Sequence, residues 1–233
     1  MNRLLNAFDD LLGLLYPSLC ITCGERLVSQ EKYVCLKCWL DLPVCRFHHD
    51  SDNKVAQLFW GRVQLEGATS YFQYRKGSRY QKLIHFIKYK GLKGLGFETG
   101  LRFGDVLAES DSFSAVDMLV PVPLHPRKQK ERGFNQSEWI ARGMADSMGK
   151  PVISENLFRK MFSSTQTRKS RFERWQNVED IFGVNAPETF ENKHILLVDD
   201  VVTTGSTLEA CATELLIIRG TRVSVATLAF ASF

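Results

Sequence analysis

The run ILLVDDVVTTGSTL, Ile195 to Leu208, constrains this chain more than any other stretch. Its first four residues, Ile195 to Val198, are apolar and mostly branched, which predicts a buried strand. Two adjacent carboxylates come next, Asp199 and Asp200. A short hydroxyl-rich loop with one glycine succeeds them, Val201 to Ser206, and an amphipathic helix opens near Thr207. In an open α/β sheet, ligands bind beyond the carboxyl ends of strands, against helix N-termini. The free backbone N–H groups there favour a phosphate. Thr203, Thr204, Ser206 and Thr207 add hydroxyl donors, and Gly205 lets the backbone come close. Two carboxylates do nothing for a phosphate, but they suit the two neighbouring hydroxyls of a ribose. A plain strand–turn–helix capped by Asp and Thr is the competing account. It does not call for adjacent acids followed by four hydroxyls.

A chain of 233 residues, 44% hydrophobic, can bury one substantial core and carry a small appendage. The formal charge of +4 permits an anionic ligand without indicating nucleic acid. The apolar run Leu4 to Leu15 contains Asp9 and Asp10 and lacks a basic start and a cleavage site. It is expected to be an amphipathic helix over 2–15 rather than a signal peptide. With few basic residues, that helix is expected to pack on its own protein rather than on a membrane surface. No apolar run reaches the length that spans a bilayer, so the expected location is cytoplasmic.

Five of the six cysteines fall between 20 and 45. Cys20-x-x-Cys23 and Cys35-x-x-Cys38 form two pairs, each able to put two thiolates on one knuckle. Together they make the four-sulfur tetrahedral set of a structural zinc site. A redox dithiol needs only one pair and leaves the second unexplained. Cys45, His48 and His49 are expected to be unliganded surface residues.

Taken in order, Asp50 to Lys54 is polar and reads as a linker. A strand over Leu65 to Tyr74 and a helix over Tyr80 to Lys90 are expected. That helix turns Leu83, Ile84, Phe86 and Ile87 inward and Lys82, Lys88 and Lys90 outward. The glycines at 91, 94, 96 and 100 interrupt the next stretch, before a further helix over Gly100 to Glu109. A second core strand, Asp117 to Val122, runs into PVPLHPRKQKERGFNQ, Pro121 to Gln136, a stiff cationic loop. A helix is expected over Gln136 to Met148, and a last strand over Arg222 to Leu228. This alternation argues a parallel sheet flanked by helices. The segment QTRKSRFERWQN carries Arg168, Lys169, Arg171 and Arg174 against one acid, Glu173. It is either a solvated helix face or a partner of the first basic loop in holding an anion.

Ile195 to Leu208 closely resembles the phosphoribosyl-diphosphate binding motif of the type I phosphoribosyltransferases. The chain as a whole resembles the ComF family of competence-associated proteins. The carriers are the two cysteine pairs, IHFIKYKG (84–91), Pro121-Val122-Pro123, Arg132-Gly133-Phe134-Asn135-Gln136, QTRKSRFERWQN and VDDVVTTGST. Some relatives carry further cysteine pairs near Cys45; this chain does not.

The resemblance implies a zinc-binding N-terminus over 1–50 and a type I phosphoribosyltransferase-like domain over 55–233. It implies a phosphoribosyl site at Asp199, Asp200, Val201, Val202, Thr203, Thr204, Gly205, Ser206 and Thr207, and a link to DNA uptake and natural transformation. It leaves two classes of function. A transferase would use phosphoribosyl diphosphate with Mg²⁺, with Asp199 and Asp200 on the ribose. Arg127, Arg132, Arg171 and Arg174 would hold the leaving diphosphate. A binding protein would use the same pocket to sense phosphoribosyl diphosphate or a nucleotide, or would hold single-stranded DNA or a protein of the uptake machinery. From Arg127 to Arg174 there are twelve Lys/Arg against five Asp/Glu, with Phe134, Trp139, Phe172 and Trp175 interleaved. Such rings can stack on bases, although Trp139 is expected to be core.

Overall fold

A computed structural model describes residues 17–160 and 181–232. The helix expected over 2–15 and the segment holding Arg171 and Arg174 lie outside the described residues. The described strands are β1 (Gly67–Arg75), β2 (Met118–Pro121), β3 (Leu157–Arg159), β4 (Phe182–Val184), β5 (His194–Val202) and β6 (Arg222–Ser232). The described helices are α1 (Leu36–Leu40), α2 (Gln81–Tyr89), α3 (Lys93–Ala108), α4 (Asp111–Ser114), α5 (Pro126–Arg132), α6 (Gln136–Met148) and α7 (Ser206–Leu216).

Among the described residues, four strands form one sheet in the order β1-β6-β5-β2, and every neighbouring pair is parallel. The small β3–β4 pair is antiparallel and separate. Strand β5 lies inside the sheet, and Ile195, Leu196, Leu197 and Val198 are all fully buried. A parallel strand covered on both faces reads as a continuous apolar run for this reason. Side chains alternate along it. Leu196 and Val198 enter a core with Ile87, Phe103 and Ile140. Ile195 and Leu197 enter another with Leu208, Ala212 and Phe59. The strand is longer than its apolar run because pairing with β6 continues through Asp199↔Thr227 to Val202↔Phe230.

Helix α6 has the bounds its sequence predicts. The Asn135 side chain accepts from Ser137 N–H at the start, and left-handed Gly149 ends it. Helix α3 differs from expectation. It begins at Lys93 and runs over Gly94, Gly96 and Gly100. A Cβ on Gly100 would lie 2.2 Å from the Ile140 carbonyl oxygen, and one on Gly143 of α6 would lie 2.0 Å from that of Phe97. These glycines let two helices touch backbone to backbone, which outweighs a propensity loss of about 1 kcal/mol each.

Two further expectations are corrected. The cationic stretch after β2 is not all loop, because it contains α5. His125 caps that helix, Pro126 opens it, and left-handed Gly133 closes it. The polar stretch at 50–54 is no loose linker. Asn53 is buried, and its amide donates to the carbonyls of Phe47, Asp50 and Ala68 while accepting from Val55 and Ala56 N–H.

The cysteine-bearing segment joins the main body through backbone and core. Val44 bridges Phe72 antiparallel at the β1 edge, Cys45 N–H donates to Tyr71 O, and Gln73 N–H donates to Pro43 O. Cys45 is therefore buried rather than at the surface. Leu27, Val34, Trp39 and Leu42 share a core with Leu83, Leu95 and Phe103. Among the described residues, no helix is long and apolar enough to cross a membrane.

Candidate functional site

The carboxyl end of β5 carries the two acids. Asp199 reaches toward α6 and Asp200 toward α2. Asp199 Oδ1 accepts from Ser137 Oγ and from Asp200 N–H, each at 2.8 Å. Burial, and then the neighbouring Asp200 charge, push the Asp199 carboxyl up to about 7. Asp200 is buried, with Oδ1 3.0 Å from Lys88 Nζ. Its Oδ2 is also buried and has no hydrogen-bond partner among the described residues. Lys88 faces in, against the outward placement that its charge suggests. Burial works against its ammonium. The Asp200 charge and hydrogen bond, with Asp199 behind them, outweigh this and hold its pKa above the ordinary value.

The loop after the acids becomes the start of α7. Gly205 has φ +77°, a left-handed conformation suited to glycine, and a Cβ there would meet the Phe59 ring at 2.9 Å. Among the described residues no side chain caps α7, so the N–H groups of its first turn lack intrahelical partners and favour an anion. Thr203, Thr204, Ser206 and Thr207 are exposed around this turn, and Thr204 and Ser206 share a hydroxyl contact of 3.1 Å. Val201 and Val202 line the same small cavity while their side chains pack into the two cores. Arg62 braces the loop from outside. It donates to the carbonyls of Leu58 and Thr204 at 2.8 Å each and pairs with Glu209.

The basic residues separate. Arg132, at the end of α5, donates to Gln136 Oε1 at 2.9 Å and lies over the Tyr89 ring at 5.1 Å. With Lys88, Tyr89, Lys128 and Glu131 it lines a groove of about 390 Å³. Arg127 lies on the exposed side of α5, 3.4 Å from Glu131, and does not line that groove. Phe134 is buried. Trp139 is half-buried rather than core, with Lys93 and Arg142 over its ring at 5.5 and 5.4 Å.

Cys20, Cys23, Cys35 and Cys38 bring their sulfurs within 4.8 Å of one another. Cys23 and Cys35 Sγ are 3.7 Å apart. A tetrahedron of ~2.3 Å zinc–sulfur bonds has edges of about 3.8 Å, so the cluster is compatible with a structural zinc. Left-handed Gly24 turns the first knuckle, and Glu31 fastens the chain between the knuckles by accepting from Val28 and Leu36 N–H.

Three residues of the site are not evident from the sequence: Lys88, Ser137 and Arg62. Lys88 carries a signal nonetheless. It stands four residues after buried Ile84, on the same helix face. Ser137 and Arg62 carry none.

The phosphoribosyl transferase domain model matches residues 132–232. A DNA utilization protein of Salmonella typhi, YhgH, is 37% identical over 100 residues, 43% of this chain and 43% of that protein. Competence protein F of Haemophilus influenzae is 32% identical over 93 residues, 40% and 41% of the two chains. Competence protein ComFC of Bacillus subtilis is 35% identical over 99 residues, 42% and 38% of the two chains. Over these stretches the chain is similar to competence proteins F and ComFC and to the DNA utilization protein. The chain's fold is that of a type I phosphoribosyltransferase-like domain, a parallel sheet flanked by helices, with a four-cysteine cluster near the N-terminus. The matched stretches span about two fifths of these relatives' own length. Among solved structures, the B. subtilis glutamine phosphoribosylpyrophosphate amidotransferase with ADP and GMP is similar at 23% identity. That match has a TM-score of 0.41 and covers 56% of this chain and 26% of that one.

Proposed function

We propose that this chain belongs to the ComF family, binds phosphoribosyl diphosphate, or a related ribose phosphate, at the end of β5 and serves in DNA uptake and natural transformation in the cytoplasm. The observation that carries the reading is the direct sequence of two carboxylates, a left-handed glycine turn and an uncapped helix N-terminus at the end of an interior parallel strand. The 5-phosphate sits on Thr203 to Thr207, and the ribose hydroxyls donate to Asp199 and Asp200. The buried Asp200 Oδ2 is one acceptor such a hydroxyl would satisfy. Mg²⁺ bound with the diphosphate would supply charge neutralisation there, held by diphosphate and water oxygens more than by side chains of this chain. Arg132 supplies positive charge on the diphosphate side, with Arg127, Arg171 and Arg174 further candidates for that role.

The same arrangement suits substitution at C1. The acceptor's lone pair would form a bond to C1 as the C1–O bond breaks. Diphosphate would leave with that electron pair, and the acceptor's proton would pass to solvent. The chain's contribution would be positioning and charge stabilisation. A second reading keeps the pocket as a sensor and gives the cationic face to single-stranded DNA or an uptake protein. The half-buried Trp139 beneath Lys93 and Arg142 supports it. We assign zinc to Cys20, Cys23, Cys35 and Cys38 as a structural ion, within a segment over 1–50 that precedes the phosphoribosyltransferase-like domain over 55–233.

The test is calorimetric titration of ribose 5-phosphate against 2-deoxyribose 5-phosphate. Loss of one hydroxyl should weaken binding at least ~10-fold, because a buried carboxylate loses its donor. Equal affinity would remove the acids from ribose recognition.

A further inference from the structure

Lys88 belongs to two places at once. Its ammonium is 3.0 Å from Asp200 Oδ1, and its side chain lines the groove it shares with Lys128 and Arg132. Asp200 is thereby half engaged: one oxygen is bonded to a lysine, the other is buried without a partner among the described residues. A ribose hydroxyl approaching Asp200 meets a carboxylate already neutralised by an ion pair. We propose that Lys88 is a specificity-determining lock on Asp200. Its ammonium leaves the carboxylate only when the incoming ligand brings an anionic group at C1 to receive it.

The inference rests on the phosphoribosyl reading above and adds a rule of selection to it. Ribose 5-phosphate has no charged group at C1. Binding it leaves the ammonium on Asp200 Oδ1 competing with the hydroxyl on Oδ2 for the same carboxylate charge. Phosphoribosyl diphosphate carries a diphosphate at C1, and the lysine can exchange one anion for another along a groove whose other cations, Lys128 and Arg132, favour the same charge. The helix makes this exchange short. Lys88 stands in the last turn of α2, and the groove is built by the adjoining Tyr89 and Gly91 together with α5. The exchange asks for movement of the lysine side chain alone. The lock thus discriminates by the charge at C1, whereas the loop at Thr203 to Thr207 reads only the 5-phosphate.

Two linked experiments test it. In the wild-type chain, inorganic diphosphate with Mg²⁺ should raise the affinity for ribose 5-phosphate, because it draws Lys88 off Asp200. A coupling of about 10-fold is expected from the strength of one charged hydrogen bond. No enhancement, or simple competition, would overturn the lock without using any variant. In Lys88→Gln, the preference for phosphoribosyl diphosphate over ribose 5-phosphate should fall about 10-fold or more and the diphosphate coupling should vanish. Lys88→Arg should keep both. If Lys88→Gln weakens both ligands equally and the preference survives, Lys88 is only structural. If the wild type binds neither ligand, the phosphoribosyl reading itself falls; if it binds both with no coupling, only the lock does.

Discussion

Asp199 should make the fold less stable than an amide would, and the amount can be worked out. The carboxyl lies at about 7 rather than 3.8, first because it is buried and second because Asp200 is beside it. Between pH ~4 and ~7 the folded chain therefore holds a proton that the unfolded chain has released. Stability must fall as pH rises through that window and stay lowered above it. The full shift corresponds to about 4 kcal/mol at about 1.4 kcal/mol per unit. The residue retains some solvent contact, so about half of that is the expected reading. Asp199→Asn removes the charge and keeps the geometry. Both hydrogen bonds at this side chain end on Oδ1, from Ser137 Oγ and Asp200 N–H, and an amide oxygen accepts both. Urea unfolding at pH 4 and pH 8 is the assay. The variant should match wild type at pH 4 and exceed it by about 2 kcal/mol at pH 8, while losing ribose phosphate binding. A variant less stable than wild type at pH 8, or a stability difference that does not change with pH, would refute the reasoning.

Other consequences rest on single contacts. Gly143→Ala places a methyl group 2.0 Å from the Phe97 carbonyl oxygen, and it should cost ~3 kcal/mol or more by thermal unfolding with no change in metal content. Metal analysis of freshly purified chain should find one zinc. Chelation should lower the unfolding midpoint by about 10 °C or more, and an absence of zinc together with a harmless Cys20→Ser would end the zinc assignment. Arg62→Ala removes two bonds to backbone carbonyls, one of them on the phosphate loop, and should weaken ribose 5-phosphate about 5-fold by calorimetry with little effect on unfolding.

Much of the fold is legible because its signals are local. The apolar run of β5 announces a strand buried on both faces, and Asn135 and Gly149 mark both ends of α6. The glycines of α3 mislead because their role is set by a partner helix. Alone they read as a break, and only contact with Ile140 and Gly143 explains them. The site shows the same division. The acids, hydroxyls and Gly205 lie in one stretch and can be read together. Arg62 comes from a loop more than a hundred residues earlier, and nothing in its own neighbourhood indicates that it braces Thr204. Lys88 lies between these cases. Its spacing from Ile84 places it on the buried face, but a lysine at the edge of an apolar stripe more often reaches solvent than a carboxylate. Helical spacing points Trp139 to the core, yet the helix leaves it at the rim, under two cations.

The cysteine segment carries a similar lesson. Its spacing names the four ligands, but not its attachment. Trp39 lies beneath the Arg102 guanidinium, 4.4 Å from its ring centre, and Lys82 of α2 reaches the Thr22 carbonyl at 3.4 Å. The helix that presents Lys88 to Asp200 at one end thus touches the first cysteine knuckle at the other. Order in the cysteine cluster and order at the acids share one helix.

The most direct test of the central claim is calorimetric titration of phosphoribosyl diphosphate with Mg²⁺ into wild type and Asp200→Asn. Saturable binding to wild type that is lost in the variant is the expected result, and it would establish a working phosphoribosyl pocket at the end of β5. Binding to neither chain, or equal binding to both, would contradict it and leave the fold serving another purpose.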